Sequence, residues 1–216
     1  MTTSITVRLV GQSRSFASDE PIVTGSQDAG EILMIAGSAE PAPSDAAHHR
    51  AVLVELHTQC LATRACETAR NLFGFARFRL GTSAPTNLIE IVHGEGHDPD
   101  ALDAAAGALE AAGFEVSVCA DRIGRIVDRL IRPQFNLAFA AIDSRLATRD
   151  DIEACLKSGL GYRRGMVEPV EAGGLDEHHQ VCVALFEAYG TPQYAPARQA
   201  IVARQRQARA AGADNA

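Results

Sequence analysis

The residues of this chain that could do chemistry are scattered carboxylates, histidines and thiols, and their spacing limits what they can do together. Glu90 sits in the alternating run Leu88-Ile89-Glu90-Ile91-Val92, which reads as a strand; its carboxylate there is either solvated or a site group. His93, three residues on, points to the opposite side of that strand and cannot simply serve Glu90 as a proton partner. Asp128 lies in a helical stretch, where the plain expectation is a surface carboxylate paired with Arg125 or Arg129. His49 and His57 are spaced for one helix face, but no third ligand at a metal-like spacing accompanies them, so no metal site is expected, and His48, His49 and His57 read as surface histidines. His178 and His179 are adjacent and point different ways on a helix. Cys60, Cys66, Cys119, Cys155 and Cys182 show no Cys-x-x-Cys spacing, and reduced thiols are the expectation.

A phosphate cradle would need several glycines between a strand and a helix, because only glycine lets the backbone approach a pyrophosphate closely. The opening strand Ile5 to Val10 runs into Gly11-Gln12-Ser13-Arg14-Ser15-Phe16, which offers one glycine. By Glu31 to Ala36 the text already reads as another strand, so Ser18 to Gly30 is expected to be a loop or hairpin.

The remaining elements follow from period and punctuation. Asp45 is expected to cap a helix carrying Val52, Leu53, Leu56, Cys60 and Leu61, continued by a short helix from Arg64 to Arg70. Leu72 to Leu80 alternates like a strand. Asp98 and Pro99 open an Ala-rich helix to Ala112, Gly113 closes it, and Phe114 to Cys119 forms the next strand, in an order that predicts a partly parallel sheet. From Asp121, apolar residues at steps of three and four predict a long helix bent near Arg129 to Arg132 by Pro133, with Thr148 capping a second that ends at Gly159 and Gly161. Helices over 167–172, 176–189 and 196–209 complete the chain, and 210–216 should fray.

The hydrophobic share of 46% without a single Trp suits one or two small domains with aliphatic cores. A net charge of -7 argues against non-specific nucleic-acid binding, which needs a basic face to displace counterions. No apolar run approaches the length of a membrane span, and the cytoplasm is the expected compartment.

The runs Ile123-Gly124-Arg125-Ile126-Val127-Asp128-Arg129-Leu130-Ile131-Arg132-Pro133, then Thr148-Arg149-Asp150-Asp151-Ile152-Glu153, Gly159-Leu160-Gly161-Tyr162 and Gly174-Leu175-Asp176 stand in a distinctive order and spacing. With them, the text from Ile123 onward resembles the C-terminal helical domain of the 3-hydroxyacyl-CoA dehydrogenases. The resemblance implies an α/β domain followed by an all-α domain: a reduced Rossmann-like unit over 1–120 and a helical, 6-phosphogluconate dehydrogenase C-terminal-like unit over 121–216. It also implies NAD as cofactor, a catalytic His in the strand resembled by 72–80, a Glu at Glu90 that orients it, and an Asn at the position held by Asp128. Aligning Gly74 and Phe78 with that strand puts Ala76 at the place of the His, and alanine has no proton to exchange. Glu90 and Asp128 are therefore the candidate site residues. Cofactor binding is not expected, though the alternative of an active NAD-dependent dehydrogenase with a remodelled site stays open. The expected partners are an acyl-CoA ligand and a second copy, packed on a long helix whose Leu130, Ile131, Phe135, Leu137, Phe139 and Ile142 cover more than one face.

Overall fold

The computed structural model describes residues 6–25, 30–64, 69–80 and 83–213, which fall into two compact units. One comprises Met1–Phe78 with Pro85–Arg125, the other Arg79–Ala84 with Ile126–Ala216. Cys66, most of the expected Arg64 to Arg70 helix and the last three residues lie outside the described residues.

The first unit is built on a six-stranded sheet whose strands lie side by side in chain order. They are β1 (Val7–Val10), β2 (Ile32–Ile35), β3 (Ala51–Glu55), β4 (Leu72–Arg77), β5 (Leu88–His93) and β6 (Glu115–Ala120). The first four are parallel, β5 runs antiparallel to β4, and β6 is parallel to β5. The connections carry short helices α1 (Pro21–Thr24), α2 (Pro43–His48) and α3 (Leu61–Arg64), and the longer α4 (Pro99–Ala111). On one face of the sheet, Ile32, Met34, Leu53, Phe73, Phe75, Ile89 and Ile91 pack with Ala105 and Leu109 of α4. On the other, Leu33, Ile35, Val52, Val54, Leu72 and Val92 pack with Leu61 of α3.

Two expectations are corrected here. Val52 and Leu53 belong to β3, not to a helix opened by Asp45; the helix ends at His48. A strand buried on both faces reads as an unbroken apolar run, which periodicity cannot distinguish from a buried helix. Asp121 does not open the long helix either. Its carboxylate accepts from the Leu61 and Ala62 amides at 2.7 and 3.0 Å and so caps α3. The α4 boundaries, by contrast, follow the sequence signals: Asp98 accepts from the Asp100 and Ala101 amides, and Gly113 turns the chain at φ +94.

The second unit is helical: α5 (Val127–Asp143), α6 (Arg149–Ala154) continuing into a π turn (Cys155–Gly159), α7 (Val167–Glu171), α8 (Leu175–Tyr189), a 3-10 turn (Pro192–Tyr194) and α9 (Arg198–Ala213). Phe135, Ala138 and Phe139 of α5 pack on Met166, Val167 and Val170, with Leu80 joining this core. Pro133 lies inside α5. Thr148 caps α6 by accepting from the Asp151 amide, as its place in the sequence predicts. Buried Glu153 caps α7 by accepting from the Val167 and Glu168 amides. A Cβ at position 165 would sit 1.0 Å from its carboxylate oxygen, so Gly165 admits this cap.

Candidate functional site

Strand register settles what faces Glu90. In the antiparallel β4–β5 pair, Ala76 lies directly opposite Glu90, so the residue that would answer this carboxylate across the strands carries only a methyl group. Glu90 is not on the solvent side of the sheet. It is 3% exposed, on the same face as Val92, and its Oε2 lies 3.6 Å from Nε of Arg125, itself buried. Arg125 also donates from Nη1 to the His57 carbonyl at 3.0 Å. It reaches this position from a turn in which Gly124 and Arg125 take φ of +77 and +48, a conformation that costs a side-chain-bearing residue on the order of 1–2 kcal/mol. The Cys119 thiol nearby is pushed up to about 11, by burial first and by the Glu90 charge second, against the opposing pull of Arg125. The carboxylate thus lies beside a guanidinium that stays protonated and a thiol that stays neutral. His93 projects to the other face and meets His97 in a tilted ring pair with centroids 4.2 Å apart.

Asp128 belongs to the helical unit. It too is buried rather than on the surface, and Arg132 donates from Nε to its Oδ1 at 2.8 Å one helical turn on. Arg129 lies over the Tyr189 ring at 4.6 Å. The Arg132 guanidinium also approaches Glu177 Oε1 at 3.9 Å and His178 Nδ1 at 3.4 Å. His178, wholly buried beside Phe135 and Phe139, has its pKa lowered to about 3 by burial and then by the Arg132 and His179 charges. Its Nε2 meets Asn136 Oδ1 at 2.9 Å, which requires the proton on that nitrogen for a hydrogen bond. Cys182, 3.7 Å from the same ring, is raised to about 11 mainly by burial. A Cys, His and Asn in contact could suggest a nucleophilic triad, but a thiol held neutral in a closed core has neither the charge nor the access for attack. The i,i+4 spacing of Asp128 and Arg132 was the available sequence signal for this network; nothing in the sequence ties it to His178 or Asn136.

The segment after β1 does not fit a dinucleotide. Gly11 takes φ +90, but a Cβ there would meet the Ala36 carbonyl oxygen at 2.4 Å, so its freedom serves chain against chain and not chain against phosphate. The next helix, α1, is only four residues long and begins at Pro21. Dinucleotide folds bind their ligand where strand order reverses, on either side of the first strand. Here β1 begins a sheet that runs in one direction through β6, with no such reversal among the described residues. Nor do the described residues group three metal-ligating side chains, and none of their helices is long and apolar enough to cross a membrane.

Comparison with known proteins places these observations. Residues 124–215 match the family described as "3-hydroxyacyl-CoA dehydrogenase, C-terminal domain". A 3-hydroxybutyryl-CoA dehydrogenase of Mycobacterium tuberculosis is 29% identical over 89 residues, 41% of this chain and 31% of that protein. A 3-hydroxyadipyl-CoA dehydrogenase of Escherichia coli is 26% identical over 102 residues, 47% of this chain and 22% of that protein. The matched stretches thus span less than a third of these relatives. Among solved structures, a 3-hydroxybutyryl-CoA dehydrogenase from Escherichia coli superposes with a TM-score of 0.68 at 19% identity, over 80% of this chain and 39% of the other. A (S)-3-hydroxybutyryl-CoA dehydrogenase from Ralstonia eutropha gives 0.66 at 19% identity, over 85% and 66%. An α/β sheet followed by a helical region is the fold shared with these structures, and residues 124–215 are similar to the C-terminal domain of the 3-hydroxyacyl-CoA dehydrogenases.

Proposed function

We propose that this protein is a non-catalytic relative of the 3-hydroxyacyl-CoA dehydrogenases, with a reduced Rossmann-like sheet unit and a helical unit kept for acyl-CoA binding and for pairing with a second copy. The observation that carries this reading is Ala76 directly across from a buried Glu90 that is held by Arg125. The position facing the carboxylate cannot hold a proton, and the carboxylate is already neutralised. Asp128 supports it as well, because its charge is matched within α5 by Arg132 and does not serve as an amide donor would. Both relatives described above are named for acyl-CoA thioesters, which supports that ligand class, and the cytoplasm is the proposed place of work.

The test is NADH oxidation by the purified chain with acetoacetyl-CoA. The expected rate equals the background without protein, and calorimetry is expected to show no micromolar NADH affinity. NADH consumption that disappears in a Glu90→Ala variant would establish the active reading instead. For pairing, the surface differs from the sequence expectation: Phe139 is 0% exposed and Phe135 is also buried in the unit's own core, so neither is available. Leu130 and Leu137 on α5 remain 64% and 72% exposed and supply the apolar surface. Light scattering should give twice the chain mass, falling to one chain in Leu137→Asp; a single-chain mass for the unmodified protein defeats the proposal of a pair.

A further inference from the structure

The C-terminal ends of parallel strands are where open α/β sheets bind their ligands, because loops meet there and point backbone amides outward. In this sheet unit the loops after β1 and β2 meet at that end. Gly11 and Gly37, at φ +90 and +67, let the two loops approach so closely that a Cβ on either would meet the other's carbonyl oxygen, at 2.4 Å from Ala36 and 2.7 Å from Gln12. The donors gathered there converge on one group, the carboxylate of Glu55 at the end of β3. Its Oε1 accepts from the Ser15 amide at 2.8 Å and from the Ser13 hydroxyl at 2.9 Å, and its Oε2 accepts from the Gly37 amide at 3.0 Å and the Arg14 amide at 3.4 Å. Glu55 is 4% exposed and Ser15 is buried with it. The Ser13 hydroxyl, while donating to Glu55, accepts from the Ser15 and Phe16 amides, so the loop is wound around the carboxylate. The far side of the loop is fastened separately: Arg77 donates to the Ser15 carbonyl at 3.1 Å and pairs with Glu20 at 2.7 Å.

Four donors from two loops around one buried carboxylate are what a phosphate-binding nest would present to a ligand, with the ligand's place taken by a side chain. We infer that Glu55 is a built-in anion: it fills a nest shaped for one small oxyanion, a carboxylate or a phosphate group, and so closes the ligand end of β1 to β3 to phosphate-bearing molecules. The inference concerns the sheet unit alone and stands whether or not the helical unit holds an acyl-CoA. It also gives Gly11 a physical task, since the glycine shapes the nest for Glu55 and not for a pyrophosphate.

The test removes the anion and returns one from solution. In the full chain, Glu55→Ala should lower the melting midpoint by roughly 5–10 °C. Sodium formate should then raise it saturably, while sodium chloride at equal ionic strength does not, and the unmodified protein should respond to both salts alike. Phosphate in place of formate shows whether the nest admits the larger ion, and a saturable response of the variant to either oxyanion supports the inference. An unchanged midpoint in Glu55→Ala, a variant that answers neither ion, or an equal saturable response in the unmodified protein overturns it. If Glu55→Ala fails to fold, amide exchange decides. The Ser15 and Gly37 amides should exchange at least 100-fold more slowly than exposed loop amides in the unmodified protein and lose that protection in Glu55→Gln. Exchange at loop rates in the unmodified protein overturns the inference.

Discussion

In the sheet unit, Glu90 meets an arginine brought from the far end of the unit by a turn in the left-handed region, whereas in the helical unit Asp128 meets one a single turn along its own helix. The first pair is long at 3.6 Å, while the second is short at 2.8 Å, and its arginine also faces a second carboxylate and a neutral histidine. Burying a charge is costly in either place, and the loss of either arginine takes a guanidinium away from a buried carboxylate. The two arginines also sit in different surroundings: Arg125 reaches Glu90 and the His57 carbonyl from a loop, while Arg132 reaches Asp128, Glu177 and His178 from within a helix. At the two places where the resemblance puts catalytic chemistry, one carboxylate meets its arginine through a loop and the other through a helix-local network.

That contrast can be broken by substitution. Arg132→Met should cost the most, about 3–5 kcal/mol in urea unfolding, because it leaves Asp128 and Glu177 facing an apolar core. A loss under 1 kcal/mol would mean that the helical network is open to water and the two arginines are alike. Arg125→Gly should cost less, roughly 2–3 kcal/mol: it strands Glu90 but relieves the strain of φ +48, which glycine adopts freely. A cost equal to that of Arg132→Met would show that the turn stores no strain. The smallest effect is the dependence on pH. His178 titrates near 6.5 when unfolded and at about 3 when folded, so its contribution is complete above pH 6.5 and is lost as pH falls toward 3. Between pH 6.5 and 5.5 this amounts to about 1 kcal/mol, and His178→Gln should flatten that part of the slope. An unchanged slope would place the acid sensitivity elsewhere.

The elements that the sequence announced are those with local punctuation. Asp98, Pro99 and Gly113 mark α4 in residues that touch it, and Thr148 marks α6 in the same way. β3 was hidden because Ala51 to Glu55 is buried on both faces, and a strand in that setting loses the alternation that identifies it. The start of α5 was hidden because Gly124 and Arg125 turn the chain just before Val127, while Asp121, from which the helical pattern was read, caps α3. At the candidate site, Glu90 and Ala76 could be singled out by resemblance, and the observed register puts them face to face. Arg125 could not be assigned to Glu90, since nothing in a sequence specifies a contact made across several intervening elements. Arg132 could have been found from its spacing to Asp128, but three candidate arginines stand within a turn of that residue and only packing chooses among them.

The chain-order arrangement of the sheet also bears on how this unit comes into being. Each strand from β2 to β6 pairs with the one synthesised just before it, so a strand leaving the ribosome finds its template already exposed and no long loop must close first. A sheet whose first strand lies in the middle must instead wait for later strands on both sides. The exception here is at the end: Glu90 lies in β5, yet its arginine is the last residue of the unit. The turn at Gly124 and Arg125 that brings this guanidinium back is thus the last part of the unit to be made.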